Sequence, residues 1–493
     1  MTERETGAGR PVSGPEVGDR LELAVRSLDP HGDGVARTPD GFVVFVERGL
    51  PGDRVEAIVT QRAARYARAR LERLLEPSPQ RVAPPCPVVE ACGGCPLMTL
   101  SYPAQLEAKR RTVVDALSRI GGVAGAEEQV RPTLGMERPW AYRNKAQHPV
   151  GRDEQGRPVV GFYRRGTHEV VPVSDCAVQH PTNVRLAAAA RDAIEALGLP
   201  VYDEVSGRGW VRHVLARVGE ATGEALLVLV TTSLEEPRPG VLAAMARQVR
   251  ERVPELVGMV QNVNPRRTNV VLGPQNRLVW GRDHLYERVG GLTLKLSATA
   301  FFQVNTRQAE VLYREVRRRI EGFLASQGLR PGQGLLLDLY CGIGGIGLAA
   351  ADLVERLVGV EEDPRAVADA RHNAALNGVD HAHFVVGPVE QVLPEEMAKR
   401  RAEAGGPVMV VVDPPRKGVD ARVVETLART APDLIIYVSC NPATMARDLR
   451  QLLERTGRAG IAYEWGPVQP VDLFPHTAHV EAVTHLVRRG YAR

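Results

Sequence analysis

Four places along the chain carry side chains that do chemistry, and each stands where a short apolar run meets a breaker. Cys440 follows Ile436-Tyr437-Val438-Ser439 and precedes Asn441-Pro442. Asp413 follows Val410-Val411-Val412 and precedes Pro414-Pro415-Arg416. Upstream, Asp338-Leu339-Tyr340-Cys341 runs into Gly342-Ile343-Gly344-Gly345-Ile346-Gly347, and Glu361 closes the next apolar stretch. Downstream lies His479-Val480-Glu481. Apolar runs bounded by Gly, Pro or Asn read as buried strands. The pattern therefore predicts a thiol and carboxylates at strand tips of one α/β domain, beside a glycine-rich turn.

That set suits covalent chemistry on a pyrimidine. Carbon 5 of uracil is a poor nucleophile, but a thiolate adding to carbon 6 makes an enolate whose carbon 5 attacks an activated methyl group. A base then removes the carbon 5 proton and elimination releases the thiolate. Cys440 can supply the thiol, Asp413 can hold a ring N–H, and Glu481 can be the base. Each residue alone has an ordinary explanation: a core cysteine, a Pro-Pro strand stop, a solvated glutamate. Their joint placement favours chemistry. Cys341, inside the turn, reads as structural. The turn fits G-x-G-x-x-G, whose glycines let backbone approach a ligand while the acid, Glu361, accepts ribose hydroxyls. A nicotinamide oxidoreductase shares that fingerprint, yet has no use for Asp413, Cys440 and Glu481 together.

Four of the six cysteines form a second constellation: Cys86, Cys92 and Cys95, spaced C-x5-C-x2-C around Gly93-Gly94, with Cys176 further along. Four thiolates suit tetrahedral zinc or an iron–sulfur cluster, and chemistry alone leaves both open. Gly93-Gly94 is expected to let the backbone turn tightly around the bound group. Met1–Gly7 lacks the apolar core of a secretory signal and reads as a loose leader, and no apolar run approaches the ~18 residues of a membrane span. The expectation is a cytoplasmic protein with no membrane partner, in which a disulfide framework is not anticipated.

The 493 residues imply two or three domains, and a net charge of +4 is weakly basic. Only five of the 63 basic residues are lysine. Arginine suits phosphate, but GC-rich codon use explains the bias as well. Residues 12–75 read as a small β-barrel whose last segment carries Arg62, Arg65, Arg68, Arg70 and Arg73 around Tyr66, either a face for single-stranded nucleic acid or an arginine-rich edge strand. A proline-rich linker leads to a central α+β region over 76–300, with a helix near 105–120 ended by Gly121-Gly122. Trp140 to Arg165 interleaves arginines and aromatics. From 301 the pattern is strand–helix alternation, with strands at 335–339, 357–361, 383–386, 408–412 and 434–438. It predicts a doubly wound, Rossmann-like parallel sheet.

At these residues the chain resembles the RNA uracil-5-methyltransferase family, and most of all its iron–sulfur branch acting on 23S ribosomal RNA. The resemblance spans nearly the whole chain. It implies that the barrel, with Gly34-Val35-Ala36-Arg37 and Leu50-Pro51-Gly52-Asp53, is an RNA-binding TRAM domain of OB type. It implies a [4Fe-4S] cluster on Cys86, Cys92, Cys95 and Cys176. It also implies a class I methyltransferase domain using S-adenosylmethionine, in which Gln303, Tyr340, Gly345, Glu361 and Asp413 meet the cofactor or base. Asp413, Cys440 and Glu481 match the family's target-site acid, nucleophile and base. Pro388 and Met98 stand where relatives often carry polar residues. The helix near 105–120 is expected against the catalytic domain. The implied activity is 5-methyluridine formation in 23S ribosomal RNA or an assembly intermediate, by a monomer. The alternatives are a transfer-RNA uracil methyltransferase, an oxidoreductase and a non-catalytic iron–sulfur RNA-binding protein.

Overall fold

The computed structural model of the chain describes residues 14–403 and 406–490; the leader expected at Met1–Gly7 and positions 12 and 13 of the barrel segment lie outside the described residues. Two compact units are present. One holds the chain up to Pro85 with Cys95–Ala108 and His476–His479; the other holds Cys86–Gly94, Lys109–Pro475 and the chain from Val480 onward.

The smaller unit is built on a six-stranded sheet in the order Arg20–Ala24, Arg54–Arg62, Tyr66–Glu76, Val43–Glu47, Gly34–Arg37, Ser27–Leu28. Alternation sets its inner face: Val55, Ala57 and Val59 point into a core with Leu23, Val44 and Val46. The arginine-rich segment is not an edge strand. Tyr66–Glu76 is interior, antiparallel to Arg54–Arg62 and parallel to Val43–Glu47. Ala67 and Ala69 fill the core while the arginines face outward, tied to acids: Arg68 to Asp33 at 3.1 Å, Arg70 to Glu72 at 2.6 Å and Arg73 to Glu56 at 3.1 Å. The turn at Gly52 is fixed by buried Asp53, which accepts the Leu50 and Ser78 N–H groups and pairs with Arg81.

The larger unit contains a seven-stranded and an eight-stranded sheet. In the first, strands Val211–Val218 and Ala225–Thr231 are buried at every position; the second runs apolar almost throughout, while the first also buries Arg212, His213 and Arg217. Helices Pro181–Ala196 and Val241–Arg252 share one core with this sheet. Leu215, Leu226, Val228 and Val260 belong to another core, which includes helix Thr306–Ser326 and the catalytic-type sheet. The segment from Tyr102 to Ala116 is helical and ends in a π-turn, Leu117–Gly121, closed by Gly122 at φ 68°. Its Val113, Val114 and Leu117 share a core with Met445 and Leu449. Lys109 is buried there, paired with Asp472 at 2.5 Å.

The eight-stranded sheet has the path Ala382–Val386, Arg356–Glu361, Leu335–Leu339, Val408–Val412, Leu434–Ser439, Glu481–Arg488, Tyr463–Trp465, with Gln469–Val471 also on Glu481–Arg488. The first five are parallel. The expected parallel sheet is thus mixed: Glu481–Arg488 runs antiparallel to Leu434–Ser439. Strand–helix alternation carries no signal for such a return strand. Strand order reverses between Leu335–Leu339 and Val408–Val412, the switch point at whose carboxyl ends ligands bind in open α/β sheets.

Candidate active site

Register gathers the residues singled out by chemistry. Leu339 pairs with Val412, Val412 with Tyr437 and Ser439 with Ala482. Tyr340, Asp413, Cys440 and Glu481 are the next residues outward, so they form a staggered row along one end of the sheet. Glu481 reaches that row only because its strand is antiparallel and begins where its neighbours finish. Two tethers hold the loops. The Asp413 N–H donates to the Leu339 carbonyl at 3.3 Å. Asn441 caps helix Pro442–Arg458 through Ala443 and donates from Nδ2 to the Arg416 carbonyl at 3.1 Å, tying the Pro-Pro loop to the cysteine loop.

The row is acidic and partly buried. Asp413 is pushed up to about 7 by burial. Glu481, 3% exposed, is carried well above the carboxylate range by burial and then by Asp413, against which Arg416 pulls. The half-buried Cys440 thiol is pushed up to about 11, first by desolvation, then by Glu481 and Asp413; Arg416 opposes both acids. Cys440 and Glu481 therefore favour their protonated forms near neutral pH, Asp413 lies close to its midpoint there, and Arg416 is the cation that biases Cys440 and Glu481 toward ionisation. Arg416 had no assigned role in the sequence reading. Asp338, one strand over, behaves likewise: burial raises it to about 7, and its Oδ1 has no hydrogen-bond partner among the described residues.

The glycine-rich turn follows strand Leu335–Leu339. Tyr340 takes φ 63°, an uncommon left-handed conformation for a tyrosine, and Gly342 and Gly344 follow at φ 54° and 83°. Glu361 braces the turn, accepting the Gly342 N–H at 3.1 Å and the Asp363 N–H at 2.9 Å. Two glycines answer to protein neighbours. A Cβ on Gly345 would meet the Tyr313 hydroxyl at 2.4 Å, and one on Gly347 the Asp338 Oδ2 at 2.7 Å. The Tyr340 hydroxyl accepts the Asp420 backbone N–H. Tyr313 and Asp338 were missed: Tyr313 has no local motif, because its partners lie far along the chain. Gln303 is buried, its side-chain amide has no protein partner among the described residues, and exposed Phe301 lies two residues before it. Its segment is clamped by Asn144, which donates to the Gln303 carbonyl, and by Arg217, which donates to those of Ser297 and Ala300. The orphaned Asp338 Oδ1, the unpartnered Gln303 amide and the open turn fit a polar cofactor.

Of the four-cysteine constellation, Cys86, Cys92 and Cys176 belong to the larger unit and Cys95 to the smaller. Burial raises Cys92 and Cys176 above an ordinary thiol, and the negative charge of neighbouring cysteines adds to this. Their sulfurs accept backbone N–H groups, Cys92 from Gly94 at 3.4 Å and Cys176 from Val178 and Gln179. This donor chemistry suits thiolate ligands, although among the described residues no group of three or more His, Cys, Asp or Glu is arranged to hold a metal ion. Gly93 and Gly94 both lie in a bend of the chain. Neither takes positive φ. A Cβ on Gly93 would meet the Arg165 backbone at 3.0 Å, so close chain approach favours glycine there.

Comparison with known proteins gives the family. Residues 316–489 match the tRNA (Uracil-5-)-methyltransferase family and residues 15–71 the TRAM domain. An uncharacterized RNA methyltransferase of Halalkalibacterium halodurans is 41% identical across 95% of this chain and 97% of its own length. Another, from Gloeobacter violaceus, is 40% identical across 97% and 99%. Among solved structures, the Pyrococcus abyssi tRNA (uracil-54, C5)-methyltransferase in complex with S-adenosyl-L-homocysteine is 27% identical. It superposes with a TM-score of 0.72 over 95% of this chain and 100% of that one. The fold is that of a class I methyltransferase with an N-terminal TRAM domain, and the chain belongs to the RNA uracil-5-methyltransferase family.

Proposed function

We propose that the protein methylates carbon 5 of a specific uridine in 23S ribosomal RNA, through a covalent bond between Cys440 Sγ and carbon 6. The observation that carries this reading is the row of Asp413, Cys440 and Glu481 at the switch-point end of the sheet. Asp413 accepts the ring N–H and orients the flipped-out base. The half-buried thiol of Cys440 gives up its proton to solvent, the thiolate bonds to carbon 6, and the double-bond electrons move onto the carbon 4 oxygen. Carbon 5 becomes the nucleophile. Bound S-adenosylmethionine supplies its electrophilic methyl group, held by Gln303, Tyr340, Gly345 and Glu361. Ionised Glu481 then takes the carbon 5 proton, the ring double bond reforms and the thiolate leaves. Arg416 favours the charged forms of both Cys440 and Glu481.

Ribosomal RNA is favoured by the resemblance and by the spacing of Cys86, Cys92, Cys95 and Cys176, which in that branch ligate a [4Fe-4S] cluster. Methyl transfer moves no electron, so a cluster there serves structure or RNA positioning. A transfer-RNA substrate is the second reading. The Pyrococcus enzyme of that specificity aligns over this chain's full architecture, so the combination of domains does not separate the two. Labelled-methyl transfer to unmodified ribosomal and transfer RNA, with the labelled nucleotide mapped, decides between them. Label confined to transfer RNA overturns the first reading, and label on neither overturns both. Iron and sulfide content of anaerobically purified protein tests the cluster.

A further inference from the structure

The far end of the same sheet carries a cavity of about 460 Å³, lined by Arg131, Arg318, Arg319 and His485, with Phe323 and Val487 supplying apolar wall. It is remote from the catalytic row. His485 and Val487 pair with Ile436 and Leu434, near the start of the strand that leads to Cys440. At about 3.4 Å per residue, His485 stands roughly 14 Å along its strand from Glu481.

Two buried polar atoms of this cavity's residues are left without partners. The Arg319 side chain is 5% exposed; it pairs with Glu315 at 2.8 Å and donates to the Val483 carbonyl at 2.9 Å, yet its Nε has no hydrogen-bond partner among the described residues. His485 Nδ1 is likewise buried and unpartnered. The His485 ring occupies space that any side chain at position 466 would take, since a Cβ on Gly466 would meet it at 2.1 Å. Charge is unbalanced as well. Arg318 shares Glu315 with Arg319, and the Arg131 side chain makes no hydrogen bond or ion pair among the described residues. Three guanidinium groups thus face one carboxylate, and no acid lines the cavity. His485 is held neutral, pushed down to about 4 by burial, then by Arg319 and Arg131, and offers a ring nitrogen for hydrogen bonding rather than a fourth charge. A buried donor left bare is costly, and arginine forks match the oxygen geometry of phosphate.

We propose that this cavity is a phosphate-binding site separate from the methyl-transfer centre, formed by Arg131, Arg318, Arg319 and His485. The phosphate is carried either on the backbone of bound RNA or on a free phosphate compound. Because binding is read directly, the test is independent of whether Cys440 methylates uridine.

The probes are inorganic phosphate and pyrophosphate, titrated calorimetrically into the full chain at ionic strength fixed with sodium chloride. Arg131→Ala combined with Arg318→Ala is the diagnostic variant, since neither side chain is core; an unchanged melting temperature without phosphate verifies folding. Saturable binding that weakens at least tenfold in the variant is expected. Binding that is absent in the native chain, or equal in both, overturns the proposal. A second arm measures affinity for unmodified ribosomal and transfer RNA against salt. A variant salt slope shallower by about 1 per lost contact, with phosphate competing, assigns the site to the RNA backbone. Unchanged RNA binding alongside lost phosphate binding assigns it to a free phosphate compound.

Discussion

The two ends of the catalytic sheet use burial in opposite ways. At one end, burial acts on acids and a thiol, and Asp413, Glu481 and Cys440 are all driven toward neutral forms that still have protons to exchange. At the other end it acts on arginine, which stays charged, and on His485, which is driven neutral. One strand, Glu481–Arg488, contributes to both. The same low-dielectric sheet therefore makes a proton-exchanging centre where carboxyls meet a thiol, and an anion-seeking cavity where guanidinium groups lack counter-ions. Residue type, more than depth, decides which.

The contrast predicts a graded set of losses at the acidic end. Cys440→Ala should lower methyl transfer by ~10⁴-fold or more, since no other thiol joins the row. Calorimetry should show S-adenosylmethionine binding intact; retained turnover would end the covalent mechanism. Glu481→Gln should cost ~10²–10⁴-fold and trap a protein–RNA adduct visible as a slow band in denaturing gels. A variant equally slow but free of adduct would remove Glu481 from the base role. Arg416→Gln should be milder, about tenfold near neutral pH. Without that cation the thiol titrates still higher, and the rising limb of the pH profile of kcat/KM moves to higher pH. An unmoved limb would mean that Arg416 does not act on the thiol.

Asp413→Asn tests the cost of the arrangement. The folded carboxyl titrates at about 7, above the unfolded value. Its contribution to stability is therefore full below pH ~4 and lost as pH rises through 7. At pH 8 the asparagine variant should melt ~2–4 °C higher than the native protein, and the gap should close toward pH 4. Differential scanning calorimetry across that range checks the sign. Equal melting at every pH would show that burial at position 413 costs nothing.

Much of this was legible along the chain. Apolar runs ended by Pro or Asn gave Asp413 and Cys440 as strand tips, and the parallel strands appear within a residue or so of their expected limits. Glu481 was legible as a carboxylate but not as a neighbour, because strand direction leaves no local mark. The arginine-rich segment of the barrel read as a candidate edge, yet pairing on both sides made it interior, and its charges found acids whose proximity only folding creates. Gly345 and Gly347 read as ligand clearance, whereas Tyr313 and Asp338 are what a side chain there would strike.

Composition and spacing were enough to single out the side chains that the proposed reaction needs, since a thiol, carboxylates and a glycine-rich turn are properties of residue identity. Whether those groups can act together was decided in three dimensions. The antiparallel return of Glu481–Arg488 brings the Glu481 carboxyl beside the thiol, burial sets where the three groups titrate, and the far end of that strand joins arginines from distant segments around one cavity. Proximity and desolvation depend on what packs nearby, and that is a property of the fold rather than of any local run of residues.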